Sequence, residues 1–190
     1  MISLSDQINE ARSKNQLLHV KNVFKSLPSW QDFINNLNYK YNSNKESDYY
    51  DKRFLKKDNK ETDVLIYNSL DIQVMHAVSK DYQTNFLFQN KDIIKELENI
   101  SGFSFGNIKT LINFIKDESE YFVHSDNHDV MLIQCQGNIE WRIYNSLDSK
   151  NYDSYIIEPG DLVFAPSGVF HQVVISEPRA TIILDHNYVV

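Results

Sequence analysis

Glu158-Pro159-Gly160-Asp161-Leu162-Val163-Phe164-Ala165-Pro166-Ser167-Gly168-Val169-Phe170-His171 is the stretch on which the fold turns. It reverses at Pro159-Gly160, runs through a short apolar strand, and reverses again at Pro166-Ser167-Gly168 before a second strand opens at His171. Candidate strands recur on both sides of it. They are Ile108 to Ile115, Glu120 to Asp126, Val130 to Gln136, Ile139 to Tyr144, Tyr152 to Glu158, Leu162 to Phe164, His171 to Ile175 and Arg179 to Asp185. Eight short strands with turn residues between them, and nothing helical after Gly102, predict a mainly β antiparallel barrel or jelly roll.

Before about residue 100 the pattern is mixed. Leu4 to Lys14 places Leu4, Ile8 and Ala11 on one stripe behind Ser3 or Ser5 as N-cap, and predicts a short helix. Leu17 to Phe24 reads as a strand. Pro28-Ser29-Trp30-Gln31-Asp32 starts a second helix, in which Trp30, Phe33, Ile34 and Leu37 recur at helical spacing down to Asn38. Tyr39 to Asp63 is polar and reads as a long loop, with Tyr49, Tyr50 and Phe54 giving it the character of a lid. Val64 to Leu70 and Ile72 to Val78 read as strands, and Asn90 to Ile100 as a helix with Ile93, Ile94 and Leu97 inward. The expected organisation is residues 1–100 as N-terminal helices and flanking strands packed on a barrel of residues 101–190, the whole one compact domain.

Composition narrows the function classes. A chain of 190 residues and 22.3 kDa buries a sizeable core without a covalent staple. Its single cysteine, Cys135, has no internal disulfide partner, which points to a reducing compartment. The N-terminus lacks a basic start followed by an apolar run, and no apolar stretch is long enough to cross a bilayer, so a cytoplasmic location and no membrane contact are expected. A net charge of -7 and pI near 5.3 argue against general nucleic-acid binding. The basic run Lys52-Arg53-Phe54-Leu55-Lys56-Lys57 is diluted by Asp48, Asp51, Asp58, Glu61 and Asp63 and reads as a solvated loop. Oligomeric state is not written in the pattern.

The chemistry concentrates at three positions. Strand alternation points His124 and Asp126 to one side, as an imidazole and carboxylate pincer. A second imidazole from a neighbouring strand completes a facial triad of the type that leaves open positions on non-haem Fe(II), and His171 is the candidate. His128 reads as surface or as support behind a ligand, while His19, His76 and His186 read as structural or exposed. Trp141 and Tyr144 read as core, Asp129 as a turn cap or an orienter of a ligand histidine, and Cys135 as a small buried hydrophobe.

Gly160, Pro166, Gly168 and His171, at spacings of five, one and two intervening residues, reproduce the second cupin motif, with Ile175 where that motif often has Asn. The stretch from His124-Ser125-Asp126 through Asp129-Val130, Gln134 or Gln136 and Gly137 to Trp141-Arg142-Ile143-Tyr144 resembles the Jumonji-C-type cupins, most of all the bacterial ribosomal-oxygenase or cupin-4 group. The resemblance covers roughly the C-terminal third. It implies a double-stranded β-helix, with His124, Asp126 and His171 as metal ligands and catalytic centre. It also implies dependence on Fe(II) and 2-oxoglutarate, with oxygenase activity on a protein side chain or small molecule. The chain is short for the extra dimerisation and winged-helix domains that ribosomal oxygenases carry.

One position departs from the pattern. The Lys or Arg that anchors 2-oxoglutarate in those oxygenases falls two residues before the Trp, and here that residue is Ile139. An aliphatic side chain cannot pair with a carboxylate, and burying an anion unpaired costs several kcal/mol. Arg142 lies on the opposite strand face from Ile139 and Trp141. Arg179, opening the last strand after Pro178, is the substitute cofactor-binding residue, since related oxygenases place an Arg near that point and its fork suits a carboxylate. A surface ion pair with Glu177 or another acid is the structural alternative. Two other functions stay open: a metal-binding cupin without 2-oxoglutarate turnover serving as a ligand-binding module, and a cupin dioxygenase or isomerase that binds its substrate directly at the metal.

Overall fold

The computed structural model describes residues 2–34, 71–79, 95, 107–115, 119–120 and 122–185. The loop read over Tyr39 to Asp63, the strand Val64 to Leu70 and His186 lie outside the described residues, as does the helix Asn90 to Ile100 except for Lys95, which is helical.

Helix α1 spans Leu4–Lys14. Ser3 is its N-cap, accepting the Asp6 N–H, and Asn15 ends it in a left-handed conformation with φ 50°. Its apolar stripe, Leu4, Ile8 and Ala11, turns inward as the spacing predicts. β1 is only Leu18–Val20, because Asn22 at φ 55° turns the chain away. Residues 30–34 are helical. Nine further strands follow: β2 Asp71–Ser79, β3 Asn107–Ile115, β4 Ser119–Glu120, β5 Val130–Gln136, β6 Ile139–Tyr144, β7 Tyr152–Ile157, β8 Leu162–Ala165, β9 Phe170–Ile175 and β10 Arg179–Asp185.

The strands form two antiparallel sheets, one in the order β1-β8-β5-β10-β3-β2 and one in the order β4-β9-β6-β7. From β3 onward, consecutive strands mostly alternate between the sheets, so the chain winds around a barrel as a double-stranded β-helix. β1 and β2 extend the larger sheet at its two edges. Two cores result. Met131, Ile133 and Cys135 of β5 join Ala180, Ile182 and Leu184 of β10 beneath α1, Phe24 and Phe33. Leu132 joins Ile139, Trp141, Val163, Val173 and Ile175 between the sheets, with Ile183 packed against them. β5 is therefore covered on both faces, and its sequence is apolar without the alternation of a half-exposed strand.

One expected strand is broken. Glu120 to Asp126 does not run continuously: the ladder stops at Glu120, and His124 alone pairs again, as an isolated bridge to His171. Among the described residues no helix is long and apolar enough to cross a membrane.

Candidate metal centre

His124 and His171 face each other across that bridge. His124 N donates to His171 O at 3.0 Å and His171 N donates to His124 O at 2.7 Å. This reciprocal pair brings the two rings to 4.4 Å between centroids. Asp126 follows outside any strand and is fixed by the Pro166-Ser167-Gly168 turn, where Gly168 N and the Ser167 hydroxyl both donate to its carbonyl. Its carboxylate lies 3.7 Å from His171 Nε2. The potential ligand atoms of His124, Asp126 and His171 all fall within 4.8 Å of one another, so one cation can touch all three.

Each imidazole is oriented by its own backbone. His124 Nδ1 lies 3.0 Å from Phe122 O, and His171 Nδ1 lies 3.0 Å from Val169 O. A carbonyl accepts only, so Nδ1 carries the proton and donates, and Nε2 keeps its lone pair for a metal. Burial lowers the His171 pKa against the opposing pull of the Val169 carbonyl, which favours the neutral imidazole that ligates. Two imidazoles and one carboxylate suit a divalent first-row ion with vacant positions.

Trp141, on the β6 strand that pairs with β9, stacks on the His171 ring at 4.7 Å and 8°. It is buried, as expected of core, yet it touches a proposed ligand. Tyr144 is not core: it faces the other way, half-buried, and donates to Gln172 at 2.6 Å. Arg142 shares that outer face, with Nε 3.0 Å from Glu140, and so points away from the barrel interior. Phe122, largely exposed, lies 5.3 Å from the His124 ring at the lip of the site.

Arg179 is buried, at 1% exposure, on the β10 face that also carries Ile183 toward the inner core. It is not the surface partner of Glu177, which accepts the Asn138 N–H instead. Its Nε donates to Asn113 Oδ1 at 2.7 Å and an Nη reaches Thr181 Oγ1 at 3.3 Å. Thr181 in turn donates to Gln134 Oε1 at 2.8 Å, and Gln134 Nε2 donates to the Gln136 and Gly137 carbonyls. Asn113, Gln134 and Thr181 come from three adjacent strands and were invisible as a group in sequence. Thr181, two residues beyond Arg179 on the same face, was the one available signal. Ile139 is 2% exposed and belongs to the inner apolar cluster with Leu132, Trp141, Val163, Val173 and Ile175.

The other singled-out residues have structural partners. Asp129 accepts the Ser167 N–H at 2.9 Å and Arg12 Nε at 2.7 Å, bracing α1 to the turn beside Asp126 and leaving the ligand histidines to their own carbonyls. His128 pairs with Asn127. His19 binds Asp161 at 2.7 Å. Cys135 faces the α1 core, away from the three candidate ligands, and burial pushes its thiol far above the usual range. His76 is on β2, whose side chains are not described.

A double-stranded β-helix that brings two histidines and an aspartate together at one end, His171 buried and the other two half-buried, has the architecture of a cupin-type protein. A family model for the JmjC domain matches residues 84–186, more than half of the sequence, and the chain belongs to that family. Among solved structures, YcfD, a ribosomal oxygenase from Escherichia coli, is similar with a TM-score of 0.60 at 14% identity, over 91% of this chain and 48% of that one. The same protein in complex with cobalt and 2-oxoglutarate gives a TM-score of 0.57 at 13% identity, over 91% and 48%. At such identity the likeness shows the shared fold, and this chain spans about half the length of those structures. No curated protein matches the chain in sequence.

Proposed function

We propose that this protein is an Fe(II)- and 2-oxoglutarate-dependent oxygenase, a hydroxylase of the JmjC type, in which His124, Asp126 and His171 hold the metal and Arg179 anchors the oxo-acid. The convergence of the three ligand atoms within 4.8 Å carries it. When bound, the iron and oxo-acid supply the chemistry that converts 2-oxoglutarate and O2 to succinate and CO2 and leaves one oxygen atom on the substrate. The protein's part is orientation and exclusion of water. The backbone carbonyls of Phe122 and Val169 hold both imidazoles with Nε2 inward. Arg179, braced by Asn113 and Thr181, offers a buried cation for the distal carboxylate in place of the residue that Ile139 cannot supply. The inner core backs the site on the His171 side, where Trp141 covers the ring.

The substrate is a protein side chain or a small molecule. The family of the matching domain and the oxygenase character of the similar structures support the former. Ile139 favours a second reading, a metal-binding cupin that does not turn over 2-oxoglutarate. Calorimetry of 2-oxoglutarate binding to anaerobic Fe(II)-loaded protein, followed by succinate formation in air, separates the two. We expect binding and turnover in the parent. Arg179→Ala should retain metal and lose about tenfold or more in 2-oxoglutarate affinity, the worth of charge-assisted hydrogen bonds to a carboxylate. Metal uptake without oxo-acid binding would establish the second reading, and unchanged affinity in Arg179→Ala would remove Arg179 as the anchor.

A further inference from the structure

Trp141 carries an unused donor inside the barrel. Its side chain is 3% exposed, and its indole Nε1 finds no hydrogen-bond acceptor among the described residues. Indole N–H is a donor only, and buried Trp residues ordinarily place it on a partner, so an orphan here is an anomaly with a location. That location is beside the metal site: the indole lies flat on His171, whose Nε2 is 3.7 Å from the Asp126 carboxylate. It shares the inner core with Leu132, Ile139, Val173 and Ile175, whose side chains offer no acceptor. An oxygen-bearing ligand entering beside His171 is the partner that satisfies it.

We infer that Trp141 is a ligand-binding residue whose indole N–H donates to a carboxylate oxygen of the oxo-acid bound at the His124, Asp126 and His171 site. The inference rests on the oxo-acid function proposed above and adds to it a second donor from the opposite sheet. Arg179 approaches from β10 in the larger sheet, and Trp141 from β6 in the smaller one. With Ile139 aliphatic on the same face of β6, the indole N–H is the polar group which that strand still presents to the interior. The stacked ring gives Trp141 a further consequence. Anything that displaces the indole also displaces the face of a metal-binding histidine.

The chain has two tryptophans, so its indole N–H signals are readily separated, with Trp30→Phe assigning them. Zn(II)-loaded protein labelled with nitrogen-15 is titrated with 2-oxoglutarate. The Trp141 indole proton should move downfield and exchange more slowly with solvent, while the Trp30 signal stays in place. Trp141→Phe keeps an aromatic face against His171, so Zn(II) affinity should match the parent, and 2-oxoglutarate affinity should fall about tenfold, the cost of one hydrogen bond to a charged acceptor. If calorimetry shows binding while neither the indole signal nor the Trp141→Phe affinity changes, the inference is overturned and the oxo-acid function stands. If the parent does not bind 2-oxoglutarate at all, both fall together. Should Trp141→Phe lose its metal, the indole signal of the parent decides alone.

Discussion

Backbone geometry at single residues sets how much freedom the site has. Gly137, between β5 and β6, sits at φ 69°, and a Cβ there would lie 2.1 Å from the Pro178 carbonyl oxygen. No side chain fits without moving the segment that leads into Arg179. Gly137→Ala should therefore lower the stability by at least about 2 kcal/mol, from backbone strain and steric overlap together, read as a shifted urea midpoint at unchanged slope. Gly168 differs although its φ is also positive, at 85°, because a Cβ there meets open space. Its role is the N–H it gives to the Asp126 carbonyl at 2.9 Å. The three candidate ligands and Arg179 were legible as residue types at family spacing. The acceptors that orient the two imidazoles were not, because a carbonyl two residues back in the chain carries no mark in sequence.

At the scale of elements, α1 is tied to the loops beside the candidate ligands by one carboxylate. Asp129 takes Arg12 from the helix and Ser167 from the turn that also holds Asp126. Asp129→Ala withdraws this acceptor from both, and should cost about 2–3 kcal/mol of stability. Metal affinity should fall about tenfold, as when a group supporting a ligand is removed, and a Co(II) titration followed by absorbance would detect it. β5, β6, β10 and α1 begin and end where alternation, caps and turn residues place them in sequence. The strand expected over Glu120 to Asp126 failed for a physical reason. Alternation requires only that His124 and Asp126 share a side, and the fold meets that with a single bridge at His124 and a loop held by Gly168.

Across the whole molecule, Asp161 joins the N-terminal strap to the barrel. It accepts from His19 at 2.7 Å, from Asn22 N at 2.8 Å and from Glu158 N at 3.1 Å, while Gly160 O receives the Val23 and Phe24 N–H groups. Burial by itself would raise the Asp161 pKa, but these hydrogen bonds, His19 first, outweigh it and hold the carboxyl below its usual range. A depressed folded value contributes stability that is fully present above the unfolded pKa, near about 3.9, and is lost as pH falls through the folded one. Urea midpoints should thus hold this contribution down to about pH 5 and lose it below about pH 4. Asp161→Asn should be weaker by roughly 1–3 kcal/mol at pH 6 and flatter in acid. The sequence by itself determined most of the strand segments, the turns at Gly160 and Gly168, the family, and the identity of the three candidate ligands, since all of these rest on contacts or patterns within a few residues. Only the tertiary structure decided that Arg179 is buried with Asn113, Thr181 and Gln134, and that Trp141 lies on His171 with its N–H unused. Those neighbours come from different strands, and which strands meet, and in what register, is fixed by the closure of two sheets around a common interior rather than by any local preference.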